Sequence, residues 1–154
     1  MEYDRFKEYK IRALDMISDT KDRDKKNNFL LDKFENNLKE NGLSINTIKS
    51  HVGNVDFFCT YLSYYEECKS LYEMNSGDVS GFLDDFFPRK AMWASPANVK
   101  SYIATFKKFF KFSLELNIIP REEYDYLLVL IKEDKEQWIE ASSFNDSYDD
   151  EDEW

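Results

Sequence analysis

The stretch ASPANVKSYIATFKKFFKFSLE, residues 94–115, contains four lysines and a single acid, which is its last residue. The whole chain has 154 residues and a formal net charge of −10, so this stretch differs from the rest of the sequence. Ser95 followed by Pro96 is a typical helix start, because a hydroxyl caps free backbone N–H groups and proline is tolerated in the first turn. The stretch is therefore predicted to form a helix.

This predicted helix has two different faces. At about 100° per residue, the apolar residues fall on one broad side: Val99, Tyr102, Ile103, Phe106, Phe109, Phe110 and Leu114. Lys100, Lys107 and Lys111 fall on an adjacent stripe, and Lys108 lies beside them. Lysines are common on exposed helix faces, but acids three or four residues away usually accompany them and form mildly stabilising pairs. A lysine face without such acids indicates an external polyanion, and nucleic-acid phosphate is the obvious candidate.

The rest of the chain is also predicted to be helical. Aromatic residues make up 17% of it and there are only four glycines and three prolines, which favours long helices over a turn-rich β architecture. Apolar residues at helical spacing predict helices over residues 3–17, 29–41, 44–65, a shorter one from Ser76 or Asp78 to 86, and a last one from Pro120. Gly42 is expected to end the second helix and Ser44 to cap the third. Twelve positions are expected to form one core: Phe34, Leu38, Ile48, Val52, Val55, Phe58, Val79, Phe82, Phe86, Ile103, Phe106 and Phe110.

Charge divides the chain unevenly. Residues 133–154 hold ten of the 31 acids and one of the 21 bases, so they carry −9 of the net charge of −10. Such a self-repelling segment cannot bury enough apolar surface to offset its ordering entropy. Residues 1–26 are predicted to form an N-terminal helix and a charged link, whose sequence SDTKDRDKKN (18–27) runs up to the start of the core domain. The core domain is predicted in 27–119, a C-terminal helix in 120–140, and a disordered acidic tail that screens the lysines in 141–154.

Several functional classes are not supported by the composition. Cys59 and Cys68 form no CxxC motif and His51 is the single histidine, so we expect neither a metal site nor a cofactor. The absence of a signal-like N-terminus and of any apolar run near about 18 residues favours a reducing cytoplasm and argues against a membrane partner. No nucleophile–base pair or glycine-rich phosphate loop is visible, so no catalytic residue is expected.

Three segments occur in a characteristic order: GLSINTIKSHVGNVDFFCTYL (42–62), NSGDVSGFLDDF (75–86) and SPANVKSYIATFKKFFKFSLELNII (95–119). Together they resemble the N-terminal core-binding, or SAM-like, domain of tyrosine recombinases and phage integrases. The positions that carry the resemblance are Thr47, Ile48, Val55, Phe58, Tyr61 and Leu62, then Asp78, Val79, Phe82 and Leu83, then Ser95, Val99, Ile103, Phe106, Phe109, Phe110 and Phe112. Asn98 stands where the family more often has threonine.

The resemblance implies an all-α, SAM-like bundle of four core helices, here with an additional N-terminal helix and a C-terminal helix. It also implies that the second and fourth core helices contact duplex DNA near the major groove. On the second core helix, which begins at Ser44, the implied contact residues are Ser44, Asn46, Thr47, Lys49 and Ser50. On the fourth core helix, which begins at Ser95, they are Ser95, Asn98, Lys100, Ser101, Lys107, Lys108 and Lys111. Ser44 and Ser95 have an alternative role as helix caps. The lone His51 is interpreted as a packed or surface side chain, and Cys59 as a core residue.

Complete recombinases carry a larger catalytic domain that this sequence does not match. Without its activating arginines, none of Tyr124, Tyr126 and Tyr148 can be nominated as a nucleophile, so we do not expect the chain to cleave DNA.

Three functions stay open. The first is a non-catalytic DNA-binding module that assists or regulates recombination, with a full-length recombinase or another DNA-bound protein as partner. The second is a protein-interaction module that kept the bundle without DNA binding, and the third is an acidic DNA mimic.

Overall fold

The computed structural model describes residues 2–64 and 68–143, with side chains described from residue 21 onward. Its helices are α1 (Glu2–Glu40), α2 (Ile45–Tyr64), a 3-10 turn (Leu71–Glu73), α3 (Ser76–Gly81), a π-helical segment (Phe82–Phe86), α4 (Phe87–Lys90), α5 (Pro96–Glu115) and α6 (Arg121–Ser142). No strand occurs within residues 2–64 and 68–143. The predicted all-α fold is therefore confirmed.

The charged link predicted at residues 18–27 is wrong. α1 continues without a break from Glu2 to Glu40. Residues 1–41 contain neither glycine nor proline, and lysine and arginine are good helix formers, so nothing in this segment interrupts the backbone hydrogen bonds. From residue 21 onward most side chains of this segment are exposed, whereas Asn27 is buried and accepts from the Leu71 N–H at 2.8 Å. The limit predicted at residue 26 falls inside a helix.

α3, the π-helical segment and α4 follow one another without a gap and form one continuous helical rod over residues 76–90, with a wide turn in its middle. Asn75 caps its start, because the Asn75 side chain accepts a hydrogen bond from the Asp78 backbone N–H at 3.0 Å. The Asp78 carboxylate accepts in return from the Asn75 N–H at 2.9 Å. At the far end of the π-helical segment, the Phe87 N–H donates to the carbonyl of Phe82, five residues earlier. Pro88 follows directly and has no N–H to donate, so the wide turn lies where a regular α-helical ladder would be interrupted.

Two left-handed residues end α1 and α5 in the same way. Gly42, with a φ of +78°, ends α1, and the Leu43 N–H donates to the Leu38 carbonyl at 3.3 Å. Asn117, with a φ of +59°, ends α5, and the Ile118 N–H donates to the carbonyl of Ser113 at 2.9 Å. The prediction for Gly42 is confirmed, whereas the role of Asn117 was not foreseen. Each turn reverses the chain, so α2 returns along α1 and α6 returns along α5.

The core lies where α2, α5 and the rod of α3 and α4 meet. The Phe58 ring contacts Phe106 edge to face at a centroid distance of 4.8 Å, and Phe82 at 5.5 Å. α1 adds Phe34, whose ring lies 5.0 Å from that of Phe109. Eleven of the twelve predicted core residues are buried: Phe34, Leu38, Ile48, Val55, Phe58, Val79, Phe82, Phe86, Ile103, Phe106 and Phe110. The exception is Val52, which is only partly buried and packs against the core from the side of α2.

α6 continues beyond the predicted start of the tail. Ala141 and Ser142 belong to α6, and Ser142 is buried, so the prediction that disorder begins at residue 141 is wrong at these positions. The physical reason is the packing of Trp138, which is fully buried one turn earlier and holds the end of the helix against the bundle. Residues 144–154 of the predicted tail lie outside the described residues. In the described part of the chain, no helix is long and apolar enough to cross a membrane.

The buried aromatic core should dominate the stability of the bundle. Phe106→Ala is expected to lower the free energy of unfolding by about 3–5 kcal/mol, because transfer energy is lost and a cavity remains. Urea denaturation followed by circular dichroism measures this change. Tyr126→Ala is the matched control, since Tyr126 is 54% exposed on α6. An effect of Phe106→Ala no larger than that of Tyr126→Ala would contradict the assigned core.

Candidate nucleic-acid interface

The lysines of α5 form a row on its exposed side. Lys100, Lys107, Lys108 and Lys111 are all exposed, while Phe106 and its apolar neighbours on the helix point into the core. From Lys100 to Lys111 the row extends about 16 Å along the helix axis. Among residues 21–64 and 68–143, none of these lysines forms an ion pair with a carboxylate, although other basic residues do. The two-faced helix expected from the sequence is confirmed, and its positive charge is available to an external anion.

A polar cluster joins α2 to α5 beneath this surface. The Asn54 side chain donates to the hydroxyls of Thr105 at 2.9 Å and Ser101 at 3.1 Å. His51 Nδ1 lies 2.7 Å from the same Thr105 hydroxyl. The contacts connect His51 and Asn54 on α2 to Ser101 and Thr105 on α5, so the two helices meet within about one turn of each. The cluster thereby fixes which residues of the two helices lie side by side.

The Thr105 hydroxyl has three polar neighbours. It accepts from Asn54 at 2.9 Å, and it lies 2.7 Å from His51 Nδ1 and 3.1 Å from the Ser101 carbonyl oxygen. Which of the last two receives its single hydrogen depends on the tautomer of the His51 ring. Burial lowers the pKa of His51 from its ordinary value, and the positive charge of Lys108 lowers it further. His51 is therefore a neutral, packed side chain at the helix contact, as interpreted from the sequence.

The predicted contact residues at the start of α5 are partly engaged within the protein. Ser95 caps the helix, because its hydroxyl accepts from the Asn98 N–H at 3.2 Å and from the Asn98 side chain at 3.1 Å. Asn98 also donates to the carbonyl of Trp93. Ser95, Asn98 and Ser101 are each half-buried. The capping role of Ser95 is confirmed, and these three side chains keep less surface for an external ligand than the lysines do.

The predicted residues at the start of α2 are all exposed. The Ser44 hydroxyl accepts from the Thr47 N–H at 3.3 Å and donates to the Thr47 hydroxyl at 2.9 Å, which confirms the helix cap. Asn46 and Ser50 lie one turn apart on the solvent side, and no internal side-chain hydrogen bond is found for either among the described residues. Their amide and hydroxyl groups are free to bind an external partner.

Lys49 has different neighbours from the lysines of α5. It lines a groove between α1 and α2 together with three carboxylates, those of Asp32, Glu35 and Asp56. Lys108 and Lys111 instead line a cleft of about 260 Å³ between the end of α1 and α5, where Glu115 is the single acid. The structure therefore groups Lys49 with the acids of α1 and α2 and leaves the positive row on α5.

Sequence reasoning missed Asn54 and Trp93. Asn54 bridges α2 and α5, and the Trp93 ring lies 5.1 Å from that of Phe57 on α2. Helical periodicity places Asn54 near the apolar side of α2, but it does not say which residue of another helix it meets. A polar residue three positions after His51 on a helix that is otherwise apolar on that side was the available signal.

The comparisons with known proteins agree with this architecture. The family described as "Phage integrase, N-terminal SAM-like domain" matches residues 31–115, which is more than half of the chain and runs from α1 to the end of α5. The chain is 32% identical over 75 residues to the tyrosine recombinase XerD of Listeria monocytogenes, covering 49% of this chain and 24% of that protein. The aligned part thus spans about a quarter of the length of this curated relative. No solved structure matches the chain.

The burial of His51, reinforced by the positive charge of Lys108, lowers its pKa and should make stability depend on pH. The ordinary pKa is 6.5 and the folded state lowers it, so below about pH 6.5 the unfolded chain binds a proton that the folded chain does not. The free energy of unfolding is expected to fall with decreasing pH by up to about 1.4 kcal/mol per pH unit, until the lowered pKa is reached. Urea denaturation at a series of pH values between 8 and 5 measures the slope.

His51→Gln is the control for this prediction. A glutamine amide can donate to the Thr105 hydroxyl but does not titrate, so the variant should lack the part of the slope that His51 causes. The carboxylates titrate alike in both proteins and cancel in the comparison. Equal slopes for the two proteins would contradict the assignment of a neutral, buried His51.

Proposed function

The chain belongs to the phage integrase N-terminal SAM-like domain family, and from this membership we propose that it binds duplex DNA through α2 and α5. The observation that carries the proposal is the row of exposed lysines on α5, for which residues 21–64 and 68–143 provide no ion pair: Lys100, Lys107, Lys108 and Lys111. A protein with a net charge of −10 is repelled by DNA at long range, so a local acid-free face is what binding would require. The proposed function is binding without strand cleavage.

The lysines and the polar residues of α2 have separate roles in this proposal. Lysine charges neutralise phosphates and release counterions, which supplies affinity that is similar for every sequence. Asn46 and Ser50, exposed on α2, can reach base edges, where an amide or hydroxyl distinguishes one base pair from another. The contact that Asn54 makes between α2 and α5 would present both sets to one duplex. The other predicted contact residues contribute less. The helix caps engage Ser44 with Thr47 and Ser95 with Asn98. The contact between α2 and α5 engages Ser101, and three carboxylates line the same groove as Lys49.

The proposed biological role is accessory to recombination. A module that occupies DNA without cleaving it can hold or block a site at which a complete recombinase acts. Such a role also needs a protein surface, and α6 exposes Tyr126 at 54% and Val129 at 46% of their area. This apolar exposure favours protein interaction as the second candidate function, with a recombinase or another DNA-bound protein as the partner.

The salt dependence of binding tests the role of the lysine row. If the four lysines each neutralise one phosphate, the logarithm of the affinity should fall with the logarithm of the salt concentration at a slope of about −3.6. The double substitution of Lys107 and Lys111 by alanine should reduce the magnitude of this slope by about 1.8 and weaken all sequences similarly. Fluorescence anisotropy of a labelled duplex at several salt concentrations measures both effects.

The chain offers a matched control for this double substitution. Lys132 and Lys135 are also exposed, but they lie on α6, so replacing both by alanine changes the net charge equally and should leave the slope unchanged. A wild-type protein that is helical by circular dichroism and shows no salt-sensitive binding to any duplex would refute the proposed function. It would leave protein interaction as the better candidate.

The acidic end of the chain is expected to compete with DNA for the lysine row. Residues 144–154 contain six acids and no base, so their removal changes the formal net charge from −10 to −4. We expect the shortened chain to bind duplex DNA more tightly at low salt, with the difference shrinking as salt screens the charges. Its thermal stability should change little, because α6 with its buried Trp138 stays intact.

A second tail variant separates charge from length. It keeps residues 144–154 but replaces the six acids with their amides, and it should bind DNA as tightly as the shortened chain does. Anisotropy titrations of the three proteins at low and high salt decide the matter. Equal affinities of wild type and both variants at low salt would show that the tail does not screen the lysine row.

A further inference from the structure

The turn between α4 and α5 carries two exposed apolar side chains. Met92 exposes 93% of its area and Trp93 exposes 52%. Single exposed hydrophobic residues are common on protein surfaces, but an exposed tryptophan next to an exposed methionine is a larger apolar area than a turn requires. Met92 and Trp93 are neither buried core residues nor part of the lysine row on α5.

Trp93 is held in one orientation although half of it faces solvent. Its ring lies 5.1 Å from that of Phe57 and 6.4 Å from that of Phe87. The Trp93 carbonyl accepts from the Asn98 side chain, which holds the backbone of the turn against α5. Ring contacts with Phe57 on α2 and Phe87 on α4 hold the indole, so its exposed half costs little further ordering when it meets a ligand.

The position of Trp93 relates it to the proposed DNA surface. Phe57 lies three residues after Asn54 and so on the same side of α2, and Asn54 bonds to Ser101 on α5. Trp93 contacts Phe57 on α2 through its ring and Asn98 on α5 through its carbonyl, so it lies where the start of α5 meets α2. The exposed lysines nearest in sequence are Lys90 before the turn and Lys100 after it, while residues 86–114 contain no acid. Charge complementarity therefore favours an anionic partner, such as DNA, over a basic or neutral partner at this end.

We propose that Trp93, together with Met92, makes an apolar contact with the methyl group of thymine in the major groove. This inference rests on the proposed function and adds to it a determinant of sequence preference. Phosphate contacts from lysines carry no sequence information, whereas the C5-methyl group is the one apolar feature that distinguishes thymine in the major groove. A fixed aromatic face at the end of the surface formed by α2 and α5 is suited to such a contact.

The test removes the methyl group from the DNA and the ring from the protein. The duplex that wild-type protein binds most tightly is selected from a random pool and is then prepared with thymine or with deoxyuridine, which lacks only the methyl group. Wild type should bind the deoxyuridine duplex about fourfold more weakly for each contacted methyl group. Trp93→Ala should bind both duplexes equally, with the salt slope of wild type unchanged.

Two further variants keep the test informative if Trp93→Ala folds poorly. Trp93→Phe retains a ring that can pack on Phe57 and should show reduced discrimination between the two duplexes. Met92→Ser lies at a nearly fully exposed position, so it should preserve the fold and also reduce discrimination. Tyr126→Ala removes an exposed aromatic ring from α6 and should discriminate as wild type does.

The possible outcomes separate this inference from the proposed function. Salt-sensitive binding of wild type with equal affinity for thymine and deoxyuridine duplexes would overturn the inference and leave DNA binding intact. Unchanged discrimination in folded Trp93→Ala and Met92→Ser would also overturn it, and would leave the exposed ring to a protein partner. Failure of wild type to bind any duplex would overturn the inference and the proposed function together.

Discussion

The hydroxyl of Thr105 determines how α2 lies against α5. It is completely buried and has three polar neighbours, because it accepts from Asn54 and lies 2.7 Å from His51 Nδ1 and 3.1 Å from the carbonyl oxygen of Ser101. A shift of α2 by one turn along α5 would leave the buried polar groups of His51 and Thr105 without these partners, at a cost of about 1–3 kcal/mol each. The aromatic core is less selective, because hydrophobic burial is not directional. Alignment of the two helices, and with it the position of the candidate DNA surface, therefore depends on this polar contact.

Several acids outside α5 take part in hydrogen bonds within the protein. On the side of α3 and α6, acids serve as hydrogen-bond acceptors: Glu123 accepts from the N–H and hydroxyl of Ser76, both at 2.8 Å, and Asp84 accepts from Gln137 at 2.7 Å. Lys69 adds a bond to the buried Asp78 at 3.1 Å. These carboxylates stabilise helix starts and contacts between elements. Since α5 begins with Ser95 as its cap, it needs no acid there, which is compatible with a face that carries positive charge alone.

Much of this arrangement was predictable because it follows from helical periodicity and from local rules. The cap at Ser95, the left-handed turn at Gly42 and the exposed lysines of α5 each depend on residues within a few positions of one another. The charged link was wrong because an all-polar segment gives no periodic signal, although its residues favour a helix. The bonds of Asn54 and the position of Trp93 depend on residues about 40 to 50 positions apart in the chain. Periodicity alone does not determine how two helices are aligned, so these features required the tertiary structure.

The wide turn at Phe82–Phe86 accommodates one additional residue within a helical segment. A turn closed by a bond from Phe87 to Phe82 holds one residue more than a regular α-helical turn. It allows the neighbours Phe82 and Leu83, and then Phe86 and Phe87, all to be buried. A relative that lacks one residue here could return to a regular helix between the same cap at Asn75 and the same start of α5. Loss of one residue from this segment is therefore compatible with an unchanged surface on α2 and α5.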